Sequence, residues 1–490
     1  MRLGGISLLA LISIGCGDTF RPVALPIPGT SPSPQATHVV AFLSSNGDNV
    51  LGSSGTCLPS GTPPPCIEDP GAVSRIDVAG DSVSSVFTTG IAPAYAAFLP
   101  NGSKIYVANS GEDTISSSSN SSIVSASSPS STTQAVTISL PQLCNAAGCV
   151  PSRPLFVNST ENGKMYVANS GNGTVSAINS TSDVIVATVA VDPAFAGNPL
   201  PAPNPAANPV ALTELPNGFK IYSVNQGNST VTSISTVDDT VLTNIHIGAP
   251  PIWAVASSDS ADLYVLDTSG TISVIDTLAD AVVSASSSIG AGANYMFYDS
   301  VAHRIYVTNP AAATVSVFDV SGSVLSAHAG SPVAIVPAAG SACSSAPSPT
   351  AVNVLGDGSR AYVASFQSDA SGAVCTQATV INTGTGLVSA VIPLSQSTDM
   401  SSQTGCSSTR FRVFVTSSVG AANSNFKVYV SQCDAGSVAV IDTFASNTST
   451  DQHLADVLGA TVSAPLSGFA PLTGQINPPL QNPVFVVAGQ

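Results

Sequence analysis

Short apolar runs rich in Val, Ile and Ala recur along the chain, each cut off by a cluster of Asn, Ser, Gly or Asp. Lys164 to Asn179, KMYVANSGNGTVSAIN, shows the unit most clearly. Met165 to Ala168 and Thr174 to Ile178 are β-branched-rich runs around Asn169-Ser170-Gly171-Asn172-Gly173, a pattern that predicts an antiparallel hairpin with a glycine-containing loop. Neither run alternates cleanly between apolar and polar residues, so both faces of each strand are expected to be buried. The same pair stands at 104–116, 220–235, 262–276 and 304–319, with weaker copies around Tyr362 and at 427–442.

The hairpins are keyed by Tyr106, Tyr166, Tyr222, Tyr264, Tyr306, Tyr362 and Tyr429, which lie 60, 56, 42, 42, 56 and 67 residues apart. A period near 42 residues with longer insertions is the range of propeller blades. Ahead of four copies stands a turn, Asn101-Gly102, Asn162-Gly163, Asn217-Gly218 or Asp357-Gly358, and before it an apolar run such as PVALTEL. Another run, such as VIVATVAV, follows the hairpin, giving four strands per unit. An isolated four-stranded sheet with two apolar faces is unstable, so the units must stack around an axis. The prediction is an all-β chain forming a β-propeller of four-stranded antiparallel blades.

These units resemble the YVTN family of β-propeller repeats, whose tetrapeptide stands here as Tyr306-Val307-Thr308-Asn309. The resemblance covers most of residues 37–489 and departs at Asp267, Ser365 and Gln432, where the motif's Asn is expected. Two residues before the tyrosine stands a cation in all copies but one: Lys104, Lys164, Lys220, Arg304, Arg360 and Lys427. Positions two apart share a strand face, so the cation is read as a solvated strand end that resists edge pairing, with a ligand-binding ring as the alternative.

His38 to Val50 and Val73 to Thr89 look like a first unit lacking its opening strand, and Pro483-Val484-Phe485-Val486-Val487 is a strand with no hairpin of its own. Pairing the last strand into the first blade would remove two open edges. That composite makes eight units, the favoured count. Seven is the alternative, since the resemblance implies that number commonly.

Charged residues are only 8% of the 490-residue chain and the net charge is −16, with twelve scattered basic residues. A phosphate-tracking surface needs clustered cations, so nucleic acid is not an expected partner. Residues 1–15 combine an early Arg2 with the apolar run Leu3 to Gly15, which is too short to span a bilayer and reads as an export signal. The run ends at Ile12-Ser13-Ile14-Gly15-Cys16 and resembles a bacterial lipoprotein signal, which implies a diacylated Cys16; a plain exported cysteine is the alternative. Residues 16–36 are a Pro- and Ser-rich tether behind that anchor, and 37–490 is the propeller domain.

The other eight cysteines are Cys57, Cys66, Cys144, Cys149, Cys343, Cys375, Cys406 and Cys433. An even number in an exported chain predicts disulfides, most simply between sequence neighbours. Metal binding competes weakly, since no C-x-x-C is present. No catalytic, cofactor-binding or metal residue is assigned. The histidines His38, His246, His303, His328 and His453 form no ligand spacing. Asp77, Asp276, Asp319 and Asp442 recur at strand ends and are read as turn-capping residues rather than calcium ligands.

The expected function is a membrane-tethered extracytoplasmic binding or scaffold module of the cell envelope. It is expected to be a monomer without a cofactor, engaging an unknown protein or glycan through its rim loops. The alternatives are a lactonase-like hydrolase, for which Arg410, Arg412 and the histidines are the candidate groups, and a surface-layer or adhesive structural protein. What lines the channel mouth discriminates between binding and catalysis.

Overall fold

The computed structural model of the protein describes residues 40–46, 70–78, 81–119, 133–145, 148–192, 206–285, 288–343, 345–369, 371–398, 406, 410–418, 427–444, 446–448, 451–453, 456–463 and 481–489. Cys16, the expected signal and tether, Cys57 and Cys66 lie outside the described residues. Every regular element among those described is a strand. They form eight antiparallel blades around one axis. Blades 2 to 8 occupy 93–139, 154–190, 209–246, 251–285, 295–334, 348–398 and 413–463.

Each blade is built from strands A to D, from the axis outward. In blade 3 these are Pro154–Ser159, Lys164–Asn169, Thr174–Asn179 and Val184–Ala190. Strand B has the cation at its first position and is buried from there to its last residue in five of the blades, as expected for a strand covered on both faces. All seven repeat tyrosines are among the largest fully buried side chains, packed between neighbouring blades.

Blade 1 is composite. Its innermost strand is Gln481–Ala488, which pairs antiparallel with Val40–Asn46, followed by Pro70–Asp77 and Ser82–Ile91. The end of the chain therefore supplies the strand that its beginning lacks. Innermost strands of adjacent blades touch all the way round, so the ring is closed at eight. Between the sixth and seventh tyrosine repeats lie the end of the Leu387–Thr398 strand and the innermost strand Val413–Ser417 of blade 8. Their Val and Phe content is core-facing.

The meander places A–B and C–D turns on one face of the disc, and B–C and D–A connections on the other. The predicted A–B turns have Gly102, Gly163, Gly218 and Gly358 at φ 64°, 78°, 73° and 70°, a region other residues enter at a cost.

On that face the repeat cations are not solvated strand ends, and they form no free ring for a ligand. Each leans onto the next blade. Lys104 Nζ and Tyr106 Oη both donate to the Asp183 carboxylate, at 2.9 and 2.5 Å. Lys164 and Tyr166 do the same to Asp239, and Lys220 and Tyr222 to Asp280. Arg360 and Tyr362 reach Asp456, and Lys427 of blade 8 reaches Asp81 of blade 1. All five aspartates sit in C–D turns with φ between 47° and 59°, the left-handed region that Asp tolerates better than most residues. One residue thus makes the turn and receives the neighbouring blade.

The exceptions fit the same logic. Blade 5 carries Asp262 where the cation is expected, and the facing turn of blade 6 has Gly322 in place of the aspartate. There Ser323 donates to Asp262 and Tyr264 donates to the Gly322 carbonyl, so the polarity is reversed. Blade 7 has Gly386 at the turn position, and Arg304 of blade 6 donates instead to the Thr383 carbonyl and to Asp319 of its own blade. Asp319 also holds His328, so it is an ion-pair partner rather than a turn cap. Asp276 does cap its turn, accepting from the backbone of Leu278 and Ala279. Between blades 1 and 2 the buried Arg75 donates to the Ser118 and Ser119 carbonyls, so a polar contact crosses every blade boundary.

Candidate functional site

The opposite face carries the described disulfides. Cys144–Cys149 closes a small hairpin in the D–A connection before blade 3, Cys343–Cys375 ties the connection before blade 7 to strand C of that blade, and Cys406–Cys433 ties the connection before blade 8 to the B–C turn of that blade. Disulfides in such connections restrict loops where the repeat itself provides least.

Strand A begins on this face. In six blades it carries a β-bulge near its start: the ladder register shifts between Pro93 and Tyr95, Pro154 and Phe156, Pro209 and Ala211, Pro251 and Trp253, Pro349 and Ala351, and Pro483 and Phe485. Proline supplies no ladder donor and fits this position. A bulge re-aims the next side chain and takes one residue out of the ladder. The re-aimed position holds Tyr95, Phe156, Ala211, Trp253, Ala351 and Phe485; its counterparts in blades 6 and 8, by register with strand B, are Tyr295 and Phe414.

Six of these eight positions are aromatic, and their rings form a collar around the axis. Phe485 meets Tyr95 at a centroid distance of 4.2 Å, Tyr95 stacks on Phe156 at 3.9 Å, Phe156 meets Trp253 edge-on at 5.5 Å across the small Ala211, and Trp253 meets Tyr295 at 4.8 Å. Tyr295 continues to Phe414 at 5.5 Å across Ala351, and Phe414 returns to Phe485 at 4.4 Å. Phe411, from the connection before blade 8, touches Trp253, Tyr295, Phe414 and Phe485 at once. Only a residue on the axis can reach blades 5, 6, 8 and 1 together. The collar is therefore filled, and it forms the floor of a cup rather than a tube. Offset and edge-on geometries of this kind are the favourable ones for aromatic pairs.

Arg410 lies on that floor. Its guanidinium carbon is 4.9 Å from the Trp253 ring centroid and 5.6 Å from that of Phe411. Nη1 and Nη2 donate to the carbonyls of Val210 and Ile252, at 2.5 and 2.7 Å. Those two residues are the extra ones in the bulges of blades 4 and 5, so the ladder irregularity that aims the aromatic side chains also frees the carbonyls that seat the guanidinium.

No carboxylate among the described residues pairs with Arg410, in a chain of 28 acids and twelve bases. Arg410 keeps accessible surface, yet protein crowds it closely: burial lowers its pKa to about 10, opposed by the nearby Tyr95 and Tyr295 phenols. Burial likewise raises the pKa of both phenols, so they remain neutral donors at physiological pH. Neither hydroxyl has a hydrogen-bond partner among the described residues.

The plug is held on both sides. Cys406 is bonded to Cys433, and Arg412 forms a two-point pair with Asp434, at 2.6 and 2.8 Å, while its guanidinium stacks over Phe366 at 4.9 Å. Of the two arginines singled out from sequence, Arg410 is in the cup and Arg412 is committed to the wall. Among the described histidines, His303 bonds Tyr298 and His328 bonds Asp319, both away from the cup. No group of three or more His, Cys, Asp or Glu side chains suited to a metal ion occurs among the described residues. The rings beneath are themselves buried, so what this end of the axis presents is the Arg410 guanidinium seated on them, which suits recognition of an anion.

No described protein family matches the sequence, and no curated protein matches it either. Solved structures do resemble the fold. One is dihydro-heme d1 dehydrogenase NirN in complex with DHE, at 11% identity and a TM-score of 0.54, over 89% of this chain and 76% of that one. Another is apo AztD from Citrobacter koseri, at 12% identity and a TM-score of 0.51, over 93% of this chain and 99% of that one. At such identities the likeness establishes the β-propeller fold and nothing of the chemistry.

Proposed function

We propose that this protein is an extracytoplasmic binding module of the YVTN-repeat type, held at a membrane by a lipid on Cys16, with the cup on its disulfide-bearing face as the recognition site. The cup carries this reading: a guanidinium with no carboxylate partner among the described residues is seated on aromatic rings by two bulge carbonyls, in a connection pinned by a disulfide. Preorganised recognition groups on a rigid scaffold are the design of a binding site. The disulfides support an oxidising compartment, and the opposite face is occupied by blade-to-blade contacts that hold the ring.

Two experiments test the two halves of the proposal. Mass spectrometry of the mature chain expressed in a bacterium should find an N-terminal diacylated Cys16; a chain still beginning at Met1 ends the anchor reading. A thermal-shift screen of small solutes against the intact protein and Arg410→Met should find ligands that stabilise only the former. A screen without any Arg410-dependent ligand ends the reading of the cup.

A further inference from the structure

Accepting the anchor on Cys16 from the proposed function, we infer that the face of the disc carrying the A–B and C–D turns docks on a zwitterionic lipid surface and leaves the cup pointing away from the membrane. Two features of the disc lead there: the placement of its exposed apolar side chains and the point at which the tether joins it.

Leu278 and Val237 stand in the C–D turns of blades 5 and 4 and are 93% and 74% exposed, and Phe219, in the A–B turn of blade 4, is 64% exposed. Val301 in the A–B turn of blade 6 and Phe444 after strand C of blade 8 are exposed on the same face. The other exposed large apolar residues among those described lie within the first three residues of a strand D, where the outer wall leaves this face; only Val336 stands in a connection of the opposite face. The turn tips adjoin one another: the Phe219 carbonyl accepts from the N–H next to Val237 at 3.1 Å, the blade 4 turn donates to Ser260 of blade 5, and Val301 lies against the Gly358 turn of blade 7. Turns are served by Asn, Asp, Ser and Gly, so apolar tips contribute nothing to the turn itself. Grouped exposed apolar side chains mark a surface that something covers.

Val40 pairs with Ala488 at the end of the innermost strand of blade 1 and with Ile76 at the end of strand C, so it sits on the turn face and the chain from Cys16 joins the disc there. At ~3.1 Å per residue, residues 17–39 reach at most ~70 Å. The anchor alone thus permits either orientation, but it raises the effective concentration at the bilayer most for the face nearest the attachment, and that face is the apolar one. Charge selects the lipid. Lys104, Lys164, Lys220, Arg360 and Lys427 are committed to aspartates, while Asp238, Asp259 and Asp357 are exposed at the turn tips. Anionic headgroups attract basic segments and would repel this face; apolar side chains seated at the headgroup level of zwitterionic lipid meet no such cost. A second copy docked face to face would bring the same carboxylates together.

The test is tryptophan quenching by brominated phosphatidylcholine in vesicles that carry the disulfide-intact chain from Cys16 onward, held by its own lipid or, where mass spectrometry finds none, by a maleimide-lipid coupled at Cys16. The parent, whose one tryptophan is Trp253 on the far face, should be unquenched. In Leu278→Trp the added emission should fall by about half or more, because a side chain at the headgroup–acyl boundary lies among the bromines. Adding Phe219→Ser and Val237→Ser should reduce that quenching at least ~3-fold, since each removes the burial of one apolar side chain. Adding phosphatidylglycerol should reduce it as well, and circular dichroism of every variant should match the parent. An unquenched introduced tryptophan, quenching of Trp253 instead, or stronger quenching with phosphatidylglycerol overturns the inference. So does sedimentation equilibrium of Cys16→Ser that finds a dimer dissolved by Leu278→Ser, which gives the face to a second copy. Quenching through the maleimide-lipid with a natively unmodified Cys16 removes the native anchor and supports the docking face; a lipidated Cys16 without quenching keeps the anchor and removes the face.

Discussion

Asp183→Asn isolates the contact on which the stacking of blades depends. The aspartate accepts from Lys104 Nζ at 2.9 Å, from Tyr106 Oη at 2.5 Å and from Ser117 Oγ at 3.1 Å. The Lys104 and Asp183 side chains are 18% and 13% exposed, so the pair is closer to a buried than to a surface ion pair. Exposed pairs contribute about 0–1 kcal/mol, while removing one partner of a buried pair costs about 3–5 kcal/mol. Asparagine keeps the left-handed turn at φ 55° and one acceptor oxygen, but turns an N–H₂ group toward two donors. A loss of about 2–3 kcal/mol is expected. Lys104→Met removes the charge without leaving a buried anion unpaired, because Tyr106 and Ser117 still donate to Asp183, and should cost about 1–2 kcal/mol. The double variant should cost less than the sum, leaving a coupling of about 1–2 kcal/mol. Urea unfolding of all four proteins with disulfides oxidised, followed through Trp253, measures the cycle. Coupling below about 0.5 kcal/mol would show that the repeat cations only decorate the strand ends.

Other outcomes follow from single features. Burial raises the Glu214 pKa to about 7, opposed by the Glu161 backbone N–H and reinforced by the Glu161 charge. Its folded form therefore holds the proton more tightly than the unfolded chain, and its contribution is fully present below about pH 4.5 and lost as pH rises through about 7. Thermal melts from pH 4 to 8 should show Glu214→Gln flattening that loss; parallel profiles would contradict it. Replacing Cys406 and Cys433 by Ala opens a loop with a sequence separation of 27 and should cost about 3.5 kcal/mol in the loop-entropy description. It should also weaken any ligand of the cup, read by calorimetry. Phe411→Ala removes the residue that fills the collar and should cost about 3–5 kcal/mol in urea unfolding. Deleting 481–490 uncovers the edge of Val40–Asn46 and opens the ring, and size-exclusion chromatography should find aggregates rather than a monomer.

The repeat was legible because it is written in adjacent residues. A tyrosine strand, an Asn/Ser/Gly turn and a second strand lie within sixteen residues of one another at 164–179, and the terminal strand stood out for having no hairpin. The blade-to-blade contacts were not legible in the same way. Lys104 and Asp183 are 79 residues apart, and the aspartate looks like any turn residue until the neighbouring blade is placed against it. The trace was present nonetheless: Asp81, Asp183, Asp280 and Asp456 each stand immediately before strand D, and Asp239 stands one residue earlier. The collar was harder still. One aromatic residue in most innermost strands is no more than a core position demands, and only Pro93-Ala94-Tyr95, Pro154-Leu155-Phe156, Pro251-Ile252-Trp253 and Pro483-Val484-Phe485 share a local pattern. Arg410 lies in a connection with no repeat at all. Trp253 is joined by the other collar rings only through closure of the ring.

Trp253 is the only tryptophan and lies under Arg410, so its quenching reports the charge at the cup directly. In a chain of net charge −16, an average surface site would favour caesium over iodide as quencher. The account predicts the reverse at Trp253: iodide quenches more strongly than caesium, and Arg410→Met abolishes the difference. Caesium quenching equal to or stronger than iodide in the parent protein would contradict an accessible cation above the aromatic floor.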